Sequence, residues 1–134
     1  DTGTLRGDLL AMFCGTGGLP DRRQTAVLAS VVTALARDEE FAATFRAQVV
    51  EPKLDVVRAV FERARRRGEL RPGLDVELLA SALPGVVLHR EFLLGERPSP
   101  DLVTRVVDQI VLPAALAPHP TTQPGTDQHQ KDTP

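Results

Sequence analysis

Apolar residues in this chain recur at intervals of three and four over five separate segments, and nowhere alternate one for one along an extended run. The first spacing puts them on one face of a helix; the second would mark a half-buried strand. No Asn-Gly or Asp-Gly hairpin turn occurs in the sequence. The expected fold is therefore all-α, a bundle of five helices. At 134 residues and 42% hydrophobic content, the chain has enough apolar material for one core and too little for two.

The first segment runs from about Thr4 to Phe13, with Leu5, Leu9, Met12 and Phe13 on one side, and Gly15, Gly17, Gly18 and Pro20 end it. The second opens with Asp21 and Gln24, the spacing of a capping box. Val27, Leu28, Val31, Val32 and Leu35 form its expected buried face. The third begins near Asp38, where Asp38, Glu39 and Glu40 suit the positive end of a helix dipole. Its stripe runs through Phe41, Phe45, Val49, Leu54, Val57, Val60, Phe61 and Ala64 to Gly68. Pro52 lies inside this helix. An interior proline removes a hydrogen bond and clashes with the carbonyl four residues back, at a cost of about 3 kcal/mol. The stripe keeps its phase on both sides of Pro52, so a kink rather than a break is expected.

Gly68 reads as the glycine that stops the third helix, with Leu70 packing back on its end. Pro72-Gly73 turns the chain and Asp75 caps the fourth helix, Val76 to about Leu94, which Pro84-Gly85 should kink and Gly95 should stop. Ser99 caps the fifth, with Pro100 at the favoured first position. Its stripe is Leu102, Val103, Val106, Val107, Ile110 and Val111, and Pro113 ends or kinks it. From Pro118 on there is no Leu, Ile, Val or Phe. The expected organisation is one folded domain over 1–116 and a disordered tail over 117–134.

Composition narrows the function classes. The net charge of −2, from 16 basic and 18 acidic residues, lacks the basic excess that phosphate contacts require. A single cysteine, Cys14, rules out an internal disulfide and makes the cytoplasm the expected compartment. No run approaches eighteen consecutive apolar residues, and no basic stretch leads into an apolar one at the start, so no membrane association is expected. Phosphate-loop, dinucleotide and His-Glu-x-x-His motifs are missing. Gly15-Thr16-Gly17-Gly18 follows a helix and lacks a lysine, so it reads as a plain loop. Cys14 reads as a small buried hydrophobe rather than a reactive thiol. Arg63, Arg65, Arg66 and Arg67 suit the negative end of the third helix. His119 and His129 have no partners at ligand spacing, so neither a metal nor a cofactor is expected.

No catalytic residue is assigned and the chain is not expected to be an enzyme. Two alternatives stay open: a small helical enzyme or carrier using His89 with a carboxylate such as Glu91, and a helical adaptor without a ligand. His89 itself is either a satisfied or exposed histidine or a polar anchor at a ligand pocket.

The fourth helix is apolar around most of its girth: Leu78 and Leu79, Val86 and Val87, and Phe92 through Leu94 are adjacent in sequence. Such a helix must be covered on most sides. The fifth shows the same pairing at Leu102/Val103, Val106/Val107 and Ile110/Val111. Either both helices are central in a monomer, or they meet their two-fold mates in an intersubunit four-helix bundle.

The order of segments and several motifs resemble the C-terminal domain of TetR-family transcriptional regulators. The motifs are Asp1-Thr2-Gly3-Thr4-Leu5-Arg6-Gly7-Asp8-Leu9-Leu10, Arg46 through Pro52, Val60-Phe61-Glu62-Arg63-Ala64, and above all Arg67-Gly68-Glu69-Leu70-Arg71-Pro72 followed by Asp75. The resemblance covers residues 1 to about 116. It implies a bundle of the tetracycline-repressor C-terminal type and a homodimer formed through the last two helices. It also implies a cavity for a small hydrophobic or aromatic effector that controls an N-terminal helix-turn-helix head. Operator DNA would be bound only through that head, which is expected to be missing from a chain that starts at Asp1. By position, Met12, Phe13, Phe45, Val49, Phe61, Leu83 and His89 are the expected ligand residues. Leu79, Ala82, Val86, Val103, Val106, Gln109, Ile110 and Pro113 are the expected dimer interface.

Overall fold

The structure, a computed structural model, describes residues 1–15, 19 and 21–116. The expected tail and the loop residues Thr16, Gly17, Gly18 and Pro20 lie outside the described residues. Five helices follow one another: α1 (Leu5–Cys14), α2 (Arg22–Leu35), α3 over 39–66, α4 (Val76–Leu94) and α5 over 100–115. Among the described residues the only β pairing is an isolated antiparallel bridge between Leu70 and Leu116.

Local chemistry sets the helix starts. Thr4, Asp38, Asp75 and Ser99 each accept a hydrogen bond from a backbone N–H in the first turn of α1, α3, α4 and α5. At α2 both halves of the capping box form: Asp21 accepts from the Gln24 N–H at 2.8 Å, and Gln24 accepts from the Asp21 N–H at 2.9 Å. Inside α3 and α5 the backbone widens to π-type turns at Arg46–Val50 and Val107–Val111. Each ends two residues before a proline, Pro52 and Pro113. The Glu51 N–H bonds to the Arg46 carbonyl and the Leu112 N–H to the Val107 carbonyl, one residue further back than in an α-helix. A wider turn relieves the clash between a proline ring and the carbonyl four residues before it, so both helices continue. At Pro84, α4 runs through with no such turn.

The core is built by Leu5 and Leu9 of α1, Val57, Val60, Phe61 and Ala64 of α3, Ala80 and Leu83 of α4, and six residues of α5 from Leu102 to Ala115. Three expectations are corrected here. Val103 and Val106, at 1% and 3% exposure, are sealed inside a single chain, because α5 is the central helix against which α1 and α4 pack. They are not available to a second subunit. The stripe of α2 is not core either: Val27 is 59% exposed and Val32 49%, and Leu28, Val31 and Leu35 are only half-buried. Cys14, expected to be buried, is exposed.

The Arg67–Arg71 hinge ties three helices together. Gly68 takes a left-handed φ of 76°, which any side chain would resist, and turns the chain off α3. The Glu69 carboxylate then accepts from the Leu5 N–H at the start of α1, at 2.8 Å, and pairs with Arg67. The Arg71 N–H bonds to the Ala115 carbonyl at the end of α5, at 2.9 Å. Next to this hinge lies Asp8, whose side chain is 1% exposed. Its oxygens accept from the Thr2 N–H at 2.7 Å, the Thr2 hydroxyl at 3.0 Å and Arg67 at 3.2 Å, with Arg63 at 3.6 Å. Thr2 reaches Asp8 by folding over Gly7, where a Cβ would sit 2.2 Å from the Thr2 hydroxyl oxygen.

Burial alone would raise the Asp8 pKa, but the Thr2 and Arg67 hydrogen bonds and the Arg63 charge outweigh it and hold the carboxyl below its ordinary value. A depressed native pKa gives stability that is complete above the unfolded value, near 3.9, and is lost as pH falls through the lower native value. Thermal melts followed by circular dichroism should therefore hold level from pH 7 to about 5 and fall below about 4. Asp8→Asn should start from a lower melting point and decline less steeply in acid. Parallel acid limbs for the two proteins would contradict this role for Asp8.

Candidate functional site

The cavity of interest, about 660 Å³, lies between α2 and the inner helices. Phe13 closes it at the end of α1, with Leu19 from the following loop. Val27, Leu28 and Val31 of α2 form one wall, Phe45 and Lys53 of α3 another, and Leu83, Pro84, Val87, Leu88 and Glu91 of α4 a third, with Val103 of α5 also on the lining. The incomplete burial of Val27, Leu28 and Val31 is explained by this arrangement: they border open volume rather than packed side chains. The volume falls within the usual range for small-molecule sites, and apolar walls with a few polar groups are their usual make-up.

The polar groups are few. Glu91 Oε1 accepts a hydrogen bond of 2.6 Å from the Thr25 hydroxyl on α2, which ties α2 to α4. Among the described residues Glu91 Oε2, which is shielded from solvent, has no hydrogen-bond partner. Arg23, Gln24 and Lys53 complete the lining, and all three are exposed at its edge. Among the described residues no group of three or more His, Cys, Asp or Glu is placed to hold a metal ion.

Of the expected ligand residues, Phe13, Phe45 and Leu83 come together on the cavity wall. The other four do not line it. Phe61 is fully buried in the core, Met12 packs against that core, Val49 is half-buried elsewhere on α3, and His89 is exposed. The cavity residues of α4 share one face; at about 100° per residue, position 89 falls nearly opposite their mean direction. Periodicity alone assigns Val27, Leu28 and Val31 to the core, and presents Glu91 only as a partner for catalysis. It gives no reason to single out Thr25 or Lys53, which carry no motif.

On the other side of α4, a smaller groove of about 180 Å³ between α4 and α5 is lined by Val86, Arg90, Leu102, Arg105, Val106, Gln109 and Ile110. Of the expected interface residues, Leu79, Ala82 and Val86 are half-buried, and Gln109, Ile110 and Pro113 are exposed. Leu78, Phe92, Leu93 and Leu94 add exposed apolar surface on α4. Among the described residues, no helix is long and apolar enough to cross a membrane.

Residues 1–110 match the family described as Tetracyclin repressor-like, C-terminal domain. An uncharacterized HTH-type transcriptional regulator of Mycobacterium tuberculosis is 25% identical over 117 residues, which cover 85% of this chain and 56% of that protein. A regulator of the same description from Mycobacterium bovis matches with the same values. The HTH-type transcriptional regulator YdeS of Bacillus subtilis is 23% identical over 107 residues, covering 80% of this chain and 54% of the relative. The chain spans about half the length of the curated relatives it matches. No solved structure matches it.

Proposed function

Because this chain belongs to the tetracyclin repressor-like C-terminal domain family, we propose that it is the effector-binding and dimerising part of a transcriptional regulator, working as a homodimer. The observation that carries the effector role is the apolar cavity of about 660 Å³ under a helix, α2, that buries no described side chain fully. A helix held over open volume moves at little cost in packing, so a ligand that fills the space can shift it. The Thr25–Glu91 bond links such a shift to α4. The α4–α5 surface with Val86, Gln109 and Ile110 serves as the dimer contact. A helix-turn-helix segment, named in the relatives' descriptions, supplies operator binding outside this chain. Neither the family nor these relatives are described as enzymes.

Two measurements test the reading. Light scattering on the purified chain should give twice 14.5 kDa. A neutral aromatic probe, 1-pyrenemethanol, should bind saturably and raise the melting temperature, since a ligand held only by the native state stabilises it by mass action. A monomer at high micromolar concentration would remove the dimer. Failure of this and related apolar aromatic probes to bind saturably would remove the effector site.

A further inference from the structure

Among the described residues, the polar side chains on the cavity lining are Arg23, Gln24, Lys53 and Glu91. What they offer a ligand is one-sided. Glu91 is the carboxylate of the set, and its oxygens are not on offer: Oε1 takes the Thr25 hydroxyl at 2.6 Å and Oε2 has almost no accessible surface. Gln24 Oε1 accepts from the Asp21 N–H at 2.9 Å, which leaves the amide NH2 to donate. Arg23 and Lys53 are donors only. Among the described residues neither forms an ion pair with a carboxylate, Glu91 included. A ligand in this cavity therefore meets side-chain donors and positive charge. We propose that the cavity selects amphiphilic acids, whose carboxylate is held at the edge by Arg23 and Lys53; this rests on reading the cavity as an effector site.

The walls at Phe13, Val27, Phe45 and Val87 are apolar and suit the body of such a ligand. They cannot take its carboxylate, since an unpaired charge is costly to remove from water. The Glu91 charge disfavours a second carboxylate beside it as well. The acid group is thus directed to the edge, where Arg23 on α2 and Lys53 on α3 are exposed. A guanidinium matches a carboxylate with two parallel N–H bonds, and an ammonium adds a point charge. The whole chain carries a net charge of −2, which works against anions in general. A preference for an acid therefore has to come from the two local cations. The class of ligand that fits is a compact apolar or aromatic body with one carboxylate.

Three probes share a pyrenylmethyl body and differ in head group: 1-pyreneacetate, 1-pyrenemethanol and 1-pyrenemethylamine. The chain has no Trp and no Tyr, so pyrene fluorescence is read without interference from indole or phenol emission. At neutral pH and low ionic strength, where screening is weak, the acid should bind the wild-type chain at least about fivefold more tightly than the alcohol, the scale of exposed ion pairs. The amine should bind least tightly. Arg23→Gln combined with Lys53→Gln should bring the acid to within about twofold of the alcohol. Arg37→Gln combined with Arg66→Gln removes the same charge from exposed positions off the lining and should keep the wild-type ratio. Equal or weaker binding of the acid than of the alcohol, or tightest binding of the amine, would overturn the proposal while leaving the effector site standing. So would an acid preference that survives the Arg23/Lys53 pair of substitutions, or one that the Arg37/Arg66 pair removes equally. If none of the three probes binds saturably, the effector site itself falls. The wild-type ranking needs no variant, so the proposal stays testable even if a variant folds poorly.

Discussion

Phe61→Ala is expected to lower the unfolding free energy by about 3–5 kcal/mol, the range for deleting a fully buried aromatic ring. Phe61 is 0% exposed and belongs to the one buried cluster that also holds Leu5, Leu9, Val60 and Val107 from three helices. A domain of this size holds only about 5–15 kcal/mol in total, so the variant should be partly unfolded near 37 °C. Phe45→Ala offers the contrast. Phe45 is half-buried and borders the cavity, so its truncation enlarges a void that already exists. It should cost less than about 2 kcal/mol, toward the low end for such truncations, and should instead weaken 1-pyrenemethanol binding. Urea unfolding followed by circular dichroism measures the first effect and fluorescence titration the second. A loss below about 1 kcal/mol for Phe61→Ala, a size typical of ordinary substitutions, would place that ring outside the core.

The two phenylalanines also mark how far the sequence could be read. Both sit on the apolar stripe of α3, and periodicity says only that a residue faces inward, not whether it meets side chains or empty space. The same limit explains Val27, Leu28 and Val31, whose spacing on α2 is that of a core helix although they border the cavity. Features fixed by a few neighbouring residues were legible: the caps at Asp21, Asp75 and Ser99, the start of α3 near Asp38, and the Arg67-Gly68-Glu69-Leu70-Arg71 hinge whose hydrogen bonds join α1, α3 and α5. The π-type turns before Pro52 and Pro113 were not, since several local distortions relieve the same clash. Glu91 was visible as a charge in an apolar helix, but its role depends on Thr25, 66 residues away.

The girth of α4 and α5 was the feature that suggested a partner subunit, and its meaning differs between Val106 and Ile110. Val106 is 3% exposed and shares the core with Leu83 and Val103, so Val106→Glu would force a carboxylate into apolar packing. The variant should lose about 4 kcal/mol or more and much of its helical signal. Ile110, one turn on, is 44% exposed on the groove beside Val86 and Gln109. Ile110→Glu has water available in the monomer and should keep its helical spectrum, with a melting point comparable to that of the wild-type chain at concentrations where both are monomeric. In a two-fold dimer through this surface, however, each new carboxylate meets its own copy or lies near it, and the isoleucine no longer contributes apolar burial between the subunits. Light scattering should then report 14.5 kDa for Ile110→Glu under conditions where the wild-type chain is a dimer. A folded Ile110→Glu that remains dimeric would move the interface elsewhere, to the exposed Leu78 and Leu93 face of α4 first of all. A folded Val106→Glu would mean that α5 is not the helix around which a single chain packs.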